Sequence, residues 1–361
     1  MPSIDILDSD LPPGGLLITA AGGIGDAILF AHVFSGFAAL AKGGETVTLV
    51  FRADAAKAGF LFNGLAQVRT VDFIRLRRSY LYRRRVFNAL GRARFRRAIS
   101  VDYKRHPKLD EALLLAADAP ETAVMKARPW AKYDSRLGRN EARFTALYDS
   151  GPAMQDKILR WAGFLQWLGG AAIAPVLNFS SARCPPAATV VRPLIILAPF
   201  SAEKLKQSPA SLFGKILEHL RDEFDIVLTG ASGDLRANPQ FEPLLAATNV
   251  TFDDSSFEAL APRLCAASLV IAADTATMHL AVAYGAPTLC LASAAYVGEI
   301  VPYAVEISPA NAHFLYEPMD CQGCLGACIH PPEAGMYPCV AALDADKVIG
   351  TIESILHGSN T

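Results

Sequence analysis

Short apolar runs and longer stretches of helical spacing take turns along this chain. GLLITAA (15–21), ETVTLVF (45–51) and VRTVDFI (68–74) read as buried strands, with AILFAHVFSGFAALAK (27–42) and 53–62 as the helices between them. A mostly helical, basic stretch follows. This strand-helix-strand order implies a parallel sheet with right-handed crossovers. Over SSARCPPAATVVRP (180–193) the rhythm fails, and the Ser, Pro and Ala there predict an interdomain linker. It then resumes, with strands expected at 194–200, 225–230, 269–274 and 287–293. Helices are expected from Pro209 to about Asp222, near 239–247, and over 256–267 and 276–284. The pattern predicts an α/β chain of two Rossmann-like, doubly wound halves facing a central cleft. The expected bounds are 1–183, a linker at 184–193, 194–343, and a terminal helix over 344–361. Ligands of such sheets sit at the carboxyl ends of strands, near helix N-termini.

Length agrees with two cores, since 361 residues exceed what a single core holds. Composition is that of a globular chain, 52% hydrophobic and 19% charged, and no apolar run approaches the roughly 20 residues of a spanning helix. The opening MPSIDILDSDLPPGG carries Asp5, Asp8 and Asp10 and no basic residue, the wrong polarity for a targeting signal. A cytoplasmic location is expected, with peripheral contact to the inner membrane face as its extension. The net charge of −1 conceals a segregation: thirteen Lys or Arg residues lie between Arg75 and Lys108 against one acid, Asp102. Either this is a solvated face, or its arginines, interleaved with Tyr80, Tyr82, Phe87 and Phe95, meet an anionic partner. Phosphorylated saccharide, anionic lipid and nucleic acid all fit that description.

Polar residues gather where strands are expected to end. After the first comes Gly22-Gly23-Ile24-Gly25-Asp26, which departs from a dinucleotide fingerprint because Ile28 stands where a third glycine belongs. Asp26 is then either an acid stabilised by a helix dipole or a general base. After 194–200 come Ser201, Lys204 and Lys206 ahead of a helix start, a hydroxyl-and-lysine set suited to an anion. Asp234 follows the strand 225–230 and suits sugar or ribose hydroxyls. Asp274, Thr275 and Thr277 open the helix after 269–274, as a plain N-cap or as ligands, and His279 reads as a satisfied core histidine or a pocket residue.

In order, LLITAAGGIGDAI, LAPFSAEKLKQSPASLFGKILEHL, VLTGASGD and VIAADTATMHLAVAYGAPTLCL, followed by a cysteine cluster, resemble the family 9 glycosyltransferases, the lipopolysaccharide heptosyltransferases. The resemblance runs from about Leu16 to Ile355 and is weakest between about 75 and 185. It implies a GT-B fold, with acceptor on the N-terminal half, sugar nucleotide on the C-terminal half, and a terminal helix crossing back to the first. It implies inverting transfer without a catalytic metal, of heptose from ADP-heptose to a lipopolysaccharide-type or other cell-surface saccharide, with no nucleic acid as partner. Asp26 would be the base. Ser201, Lys206, Asp234, Asp274, Thr275, Ala276, Thr277 and His279 would serve the donor, and Gly23, Gly25, Arg77, Arg78, Arg83 and Arg84 the acceptor. Two departures stand out: Ser208 replaces a usual tryptophan, and Ala276 a usual glycine, whose missing side chain would let backbone approach a ligand.

Cys184, Cys265 and Cys290 read as small apolar core residues. Cys321, Cys324, Cys328 and Cys339 crowd CQGCLGACIHPPEAGMYPC and offer four soft ligands for Zn or Fe, with His330 as a substitute for one; reduced or redox-active thiols are the alternative. Relatives with such a segment include iron-binding ones that glycosylate proteins, so the resemblance leaves a protein acceptor open. A different reading altogether is a non-catalytic module that holds an anionic partner through its arginines.

Overall fold

The structure, a computed structural model, describes residues 4–220 and 223–358. Its strands are β1 (Leu16–Ala20), β2 (Val47–Arg52), β3 (Gln67–Val71), β4 (Arg97–Ser100), β5 (Glu121–Met125) and β6 (Ala146–Tyr148) in the first half. β7 (Leu194–Ala198), β8 (Asp225–Thr229), β9 (Val250–Asp253), β10 (Ala267–Ala273), β11 (Thr288–Leu291) and β12 (Ala312–Leu315) make up the second. Two six-stranded sheets result, ordered β3-β2-β1-β4-β5-β6 and β12-β11-β10-β7-β8-β9. All the pairings are parallel. Read outward from β7, the second winding repeats the first. The central strands LLITA and LIILA are buried throughout, as strands covered on both faces must be. Each sheet reverses its strand order beside its first strand, between β1 and β4 and between β7 and β10, where such folds leave a crevice. This is the expected α/β architecture, two Rossmann-like windings of the GT-B kind.

In the N-terminal unit, residues 1–175, the stretch expected as one helix over 27–42 forms two. These are α1 (Ile24–Phe30) and α2 (Phe34–Ala38), and the break lets Gly36 meet Leu165. The stretch 55–62 is wound as a 3-10 helix. Strand β3 stops at Val71 because Asp72 accepts the Ile74 and Arg75 N–H groups at 2.8 and 2.9 Å and starts α3 (Phe73–Arg78). Then come α4 (Tyr80–Ala93), α5 (Asp110–Ala116), α6 (Asp134–Glu141) and α7 (Lys157–Trp167). Strands β4 to β6 escape the sequence reading, β4 because RAIS sits inside the basic run and β6 because ALY is three residues long.

The basic run is accordingly mixed. Arg96 pairs with Glu45 at 2.5 Å, and that hydrogen bond holds the Glu45 carboxyl down at about 2. Arg105 is wholly buried, pairing with Glu111 at 2.9 Å and Glu141 at 3.3 Å and donating to the Met125 carbonyl.

The C-terminal unit begins at Val176, within what reads as domain 1–183 and ahead of the expected linker. That stretch is tied to its own unit: the Phe179 N–H donates to the Ala283 carbonyl at 2.6 Å, and the Ala188 N–H to Pro262 at 2.8 Å. The helices are α8 (Ala210–Leu220), α9 (Asp234–Ala237), α10 (Phe257–Ala266), α11 (Ala276–Ala283), α12 (Pro338–Ala341) and α13 (Ala345–Gly358). The end expected for the helix at Asp222 lies outside the described residues, as do positions 359–361 of the terminal helix. Helix α13 spends its apolar face in this unit, with Val348, Ile352 and Ile355 in the core beside Ile216 and Leu217. Among the described residues no helix is long and apolar enough to cross a membrane.

Candidate functional site

The glycine turn after β1 places Asp26 in the first turn of α1, beside Gly25. Its Oδ2 accepts the Gly23 N–H at 2.8 Å, and its Oδ1 lies 2.6 Å from the Lys157 ammonium at the start of α7. Gly22 has no room for a side chain, since a Cβ there would sit 2.5 Å from Asp26 Oδ2. The adjoining end of β4 contributes Asp102, whose Oδ2 accepts the Ala21 N–H at 2.8 Å. Burial pushes the Asp102 carboxyl up to about 6 and the charge of Asp26 adds to this, while the Ala21 N–H, Lys157 and Arg105 oppose it. Two carboxylates and one ammonium therefore meet at the first reversal of strand order. Asp26 is the helix-start acid of α1 and is paired with Lys157.

The proposed acceptor arginines lie on the two helices that follow β3. Arg77, Arg78 and Arg84 are exposed on α3 and α4, and the half-buried Arg83 lies over the Phe87 ring at 5.0 Å.

At the second reversal, Lys206 Nζ lies 2.5 Å from Asp274 Oδ2, with the two side chains only 11% and 3% exposed. The ammonium also stands 4.3 Å above the Tyr296 ring. His279 is buried with Nδ1 2.7 Å from the Tyr303 hydroxyl and Nε2 3.7 Å from Asp274 Oδ1. It is thus a core histidine and a neighbour of Asp274 at once. Thr275 is the N-cap of α11 but makes no capping bond, and its buried Oγ1 has no hydrogen-bond partner among the described residues. The buried hydroxyls of Ser208 and Ser293 are in the same state. A protein rarely leaves buried hydroxyls unpaired, and these three follow the carboxyl ends of β7, β10 and β11 in one sheet. Ala276 and Thr277 form the half-buried first turn of α11. Its N–H groups lack carbonyl partners within the helix.

Ser201 Oγ accepts the Glu203 N–H at 3.2 Å, and Asp234 Oδ2 accepts the Ala231 N–H at 2.7 Å, so each also shapes its own loop. Lys204, by contrast, is spent on Asn238 Oδ1 at 2.6 Å.

Glu203 escapes a sequence reading. It accepts the hydroxyls of Tyr296 at 3.1 Å and Tyr337 at 2.5 Å, and the Tyr337 N–H donates to the Leu205 carbonyl at 2.8 Å. The cysteine-rich segment is thereby bonded to the loop that carries Lys206. Within that segment Cys321, Cys324 and Cys328 bring their sulfurs within 4.8 Å of one another, Cys321 and Cys328 at 3.9 Å. Tetrahedral thiolates on one zinc are about 3.8 Å apart, given metal–sulfur bonds near 2.3 Å. Burial and the neighbouring Cys328 push the Cys321 thiol up to about 11. Cys339, expected as a fourth ligand, is buried at the start of α12 and falls outside this group, whereas Asp320 and His330 form a second such group with Cys321.

Residues 170–321 match the family model of glycosyltransferase family 9 (heptosyltransferase). That segment is similar to the family 9 glycosyltransferases. It contains every donor-side residue named above and Cys321, while Asp26, Cys324, Cys328 and Cys339 lie outside it. Among solved structures the chain resembles the ADP-heptose lps heptosyltransferase II of E. coli, at 14% identity and TM-score 0.66, over 96% of this chain and 99% of that one. It also resembles E. coli heptosyltransferase WaaC with ADP-2-deoxy-2-fluoro heptose, at 16% identity and TM-score 0.67, over 94% and 99%. A third is the iron-containing dodecameric glycosyltransferase TibC of enterotoxigenic E. coli H10407, at 14% identity and TM-score 0.51, over 98% and 78%. At these identities the likeness establishes the GT-B fold. No curated protein sequence matches the chain.

Proposed function

We propose that this glycosyltransferase moves a heptose, with inversion, from ADP-heptose to a phosphorylated cell-surface saccharide of the lipopolysaccharide type, at the cytoplasmic face of the membrane. The observation that carries the reading is the buried Lys206–Asp274 pair, set beside the unpartnered Thr275 hydroxyl at the N-terminus of α11. An ammonium, free helix N–H groups and hydroxyls suit a sugar diphosphate. Support comes from the family 9 segment that contains all of them, and from a related structure holding a fluorinated ADP-heptose.

In this reading Asp26 takes the proton of the acceptor hydroxyl as its oxygen attacks the anomeric carbon. The bond to the diphosphate breaks, and Lys206 and the α11 N–H groups stabilise the charge that develops on it. Lys157, 2.6 Å from Asp26, favours the ionised carboxylate that a base requires. Asp274 and His279 hold Lys206 and the start of α11 in place. A Zn or Fe ion on Cys321, Cys324 and Cys328 would fix the finger, and through Glu203 the Lys206 loop, without entering the chemistry.

The test is mass spectrometry of products from a panel of ADP-, UDP- and GDP-sugars with phosphorylated saccharide acceptors. Transfer of a heptose from ADP-heptose is expected, and a sugar-modified polypeptide would instead mark a protein acceptor. If no nucleotide or sugar nucleotide stabilises the protein against heat, the donor site is misassigned. Asp26→Asn should lower turnover about 10²- to 10⁴-fold with donor binding unchanged; wild-type turnover would show that Asp26 is not the base.

A further inference from the structure

Helices α3 and α4 carry Arg75, Arg77, Arg78, Arg83, Arg84, Arg85 and Arg92 and not one Asp or Glu. Three large apolar side chains on them face water: Ile74, near the start of α3, is 66% exposed, and Tyr80 and Leu81, at the start of α4, 74% and 69%. Helical period explains how these come together. In α4 the buried face is Tyr82, Val86, Leu90 and Ala93, so Leu81, Arg85, Asn88 and Arg92, at i, i+4, i+7 and i+11, form the outward stripe, whose later part lines a concavity with Ser9 and Asp10 of the N-terminal segment. In α3 Leu76 is buried, and Ile74, Arg77 and Arg78 point away from it. Each outward stripe thus has an apolar residue near the start of its helix and runs on into arginine.

Some of the arginines are used by the fold. Arg75 covers the Tyr82 ring at 4.3 Å and Arg83 covers Phe87. Arg77, Arg78, Arg84 and Arg85 take part in no ion pair among the described residues.

A polyanion in water would be held by arginine alone and gives no reason to expose isoleucine and leucine. An anionic bilayer accounts for both features, since apolar side chains enter the headgroup–acyl boundary while guanidinium groups hold lipid phosphates. We propose that the α3–α4 corner docks on an anionic membrane surface. Ile74, Tyr80 and Leu81 enter the interface, and Arg77, Arg78, Arg84 and Arg85 grip the phosphates. Because α3 leaves the carboxyl end of β3 and the sheet is parallel, this corner belongs to the sheet edge that bears Asp26. Docking brings that edge to the lipid. Only the consequence, delivery of a lipid-linked acceptor, rests on the proposed function.

The test is flotation of the full-length protein with vesicles of phosphatidylcholine alone or with about one-third phosphatidylglycerol. Binding to the anionic vesicles should be at least about tenfold tighter and should weaken with salt. Arg84→Ser with Arg85→Ser should weaken it about fivefold per arginine. Ile74→Ser with Leu81→Ser should weaken it about tenfold or more with every charge in place. This apolar double variant should keep wild-type transfer to a soluble, deacylated acceptor. The proposal falls if the wild type ignores anionic vesicles or if the apolar variant binds them as tightly as wild type does. It falls too if short duplex DNA displaces the protein from the vesicles, which would make the surface a nucleic-acid site. Vesicle binding by a protein that transfers no sugar would leave docking intact and overturn the enzymatic reading; transfer without vesicle binding would do the reverse.

Discussion

Asp26, Asp274 and His279 stand out in the sequence because each is a polar residue at the corner of an apolar strand and helix. Their partners do not. Lys157 lies 131 residues from Asp26 and looks like any helix-start lysine, while Asp102 reads as the lone acid of a basic run. The Asp102 carboxyl, pushed up to about 6 by burial, predicts a pH effect. A folded pKa above the unfolded value of about 3.9 makes the native state bind the proton more tightly. Asp102 therefore contributes stability that is full below pH 4 and is lost as pH rises through 6. Asp102→Asn, which keeps an acceptor for the Ala21 N–H, should be more stable than wild type at pH 7 by on the order of 1–2 kcal/mol. That gain should vanish near pH 4 in urea denaturation. Lys206→Met has the opposite sign, because it strips the buried Asp274 of its ammonium. It should cost about 3 kcal/mol of stability and weaken binding of the donor nucleotide.

Helical and strand periods are local, so most elements could be placed from sequence while several of their ends could not. The stretch 27–42 has an unbroken helical pattern, yet it bends after α1 because α2 must close on α7. Gly36 shows how closely: a Cβ there would clash with Leu165 Cδ2, and Leu165 is fully buried. Gly36→Ala should gain about 1 kcal/mol of helix propensity and lose about 1–3 to overpacking, so net destabilisation is expected in thermal unfolding. Strand β4 lies inside the basic run and β6 is three residues long, which masks their pattern, whereas β5, ETAVM, goes unread without such a reason. The cysteine finger was visible as a cluster, but its use as a brace for the Lys206 loop depends on Glu203 reaching Tyr296 and Tyr337. Cys321→Ser with Cys324→Ser should therefore raise KM for the donor more than it lowers kcat, as steady-state kinetics would show.

The molecule is two units, each with a core of its own, and the proposed chemistry assigns the base to one and the diphosphate to the other. Denaturation should proceed in two steps, followed by the near-UV signals of Trp130, Trp161 and Trp167, all in the N-terminal unit, and by far-UV dichroism for both. ADP at about 100 times its Kd should shift the step silent in tryptophan by about 2.7 kcal/mol and leave the other in place. A shift of the tryptophan step would move the nucleotide to the N-terminal unit.

By itself the sequence determined two α/β windings, the glycine turn with Asp26, the polar corner at Asp274 and a basic segment, because each is written in neighbouring residues. Tertiary structure alone decided which strand ends adjoin, that residues 176–193 and α13 belong to the second unit, and that Arg96 and Arg105 are structural. It also decided that Lys157, Asp102 and Glu203 complete sites begun elsewhere. The reason is physical: period and capping depend on residues a few positions apart, whereas a charge pair depends on which strands the winding makes neighbours.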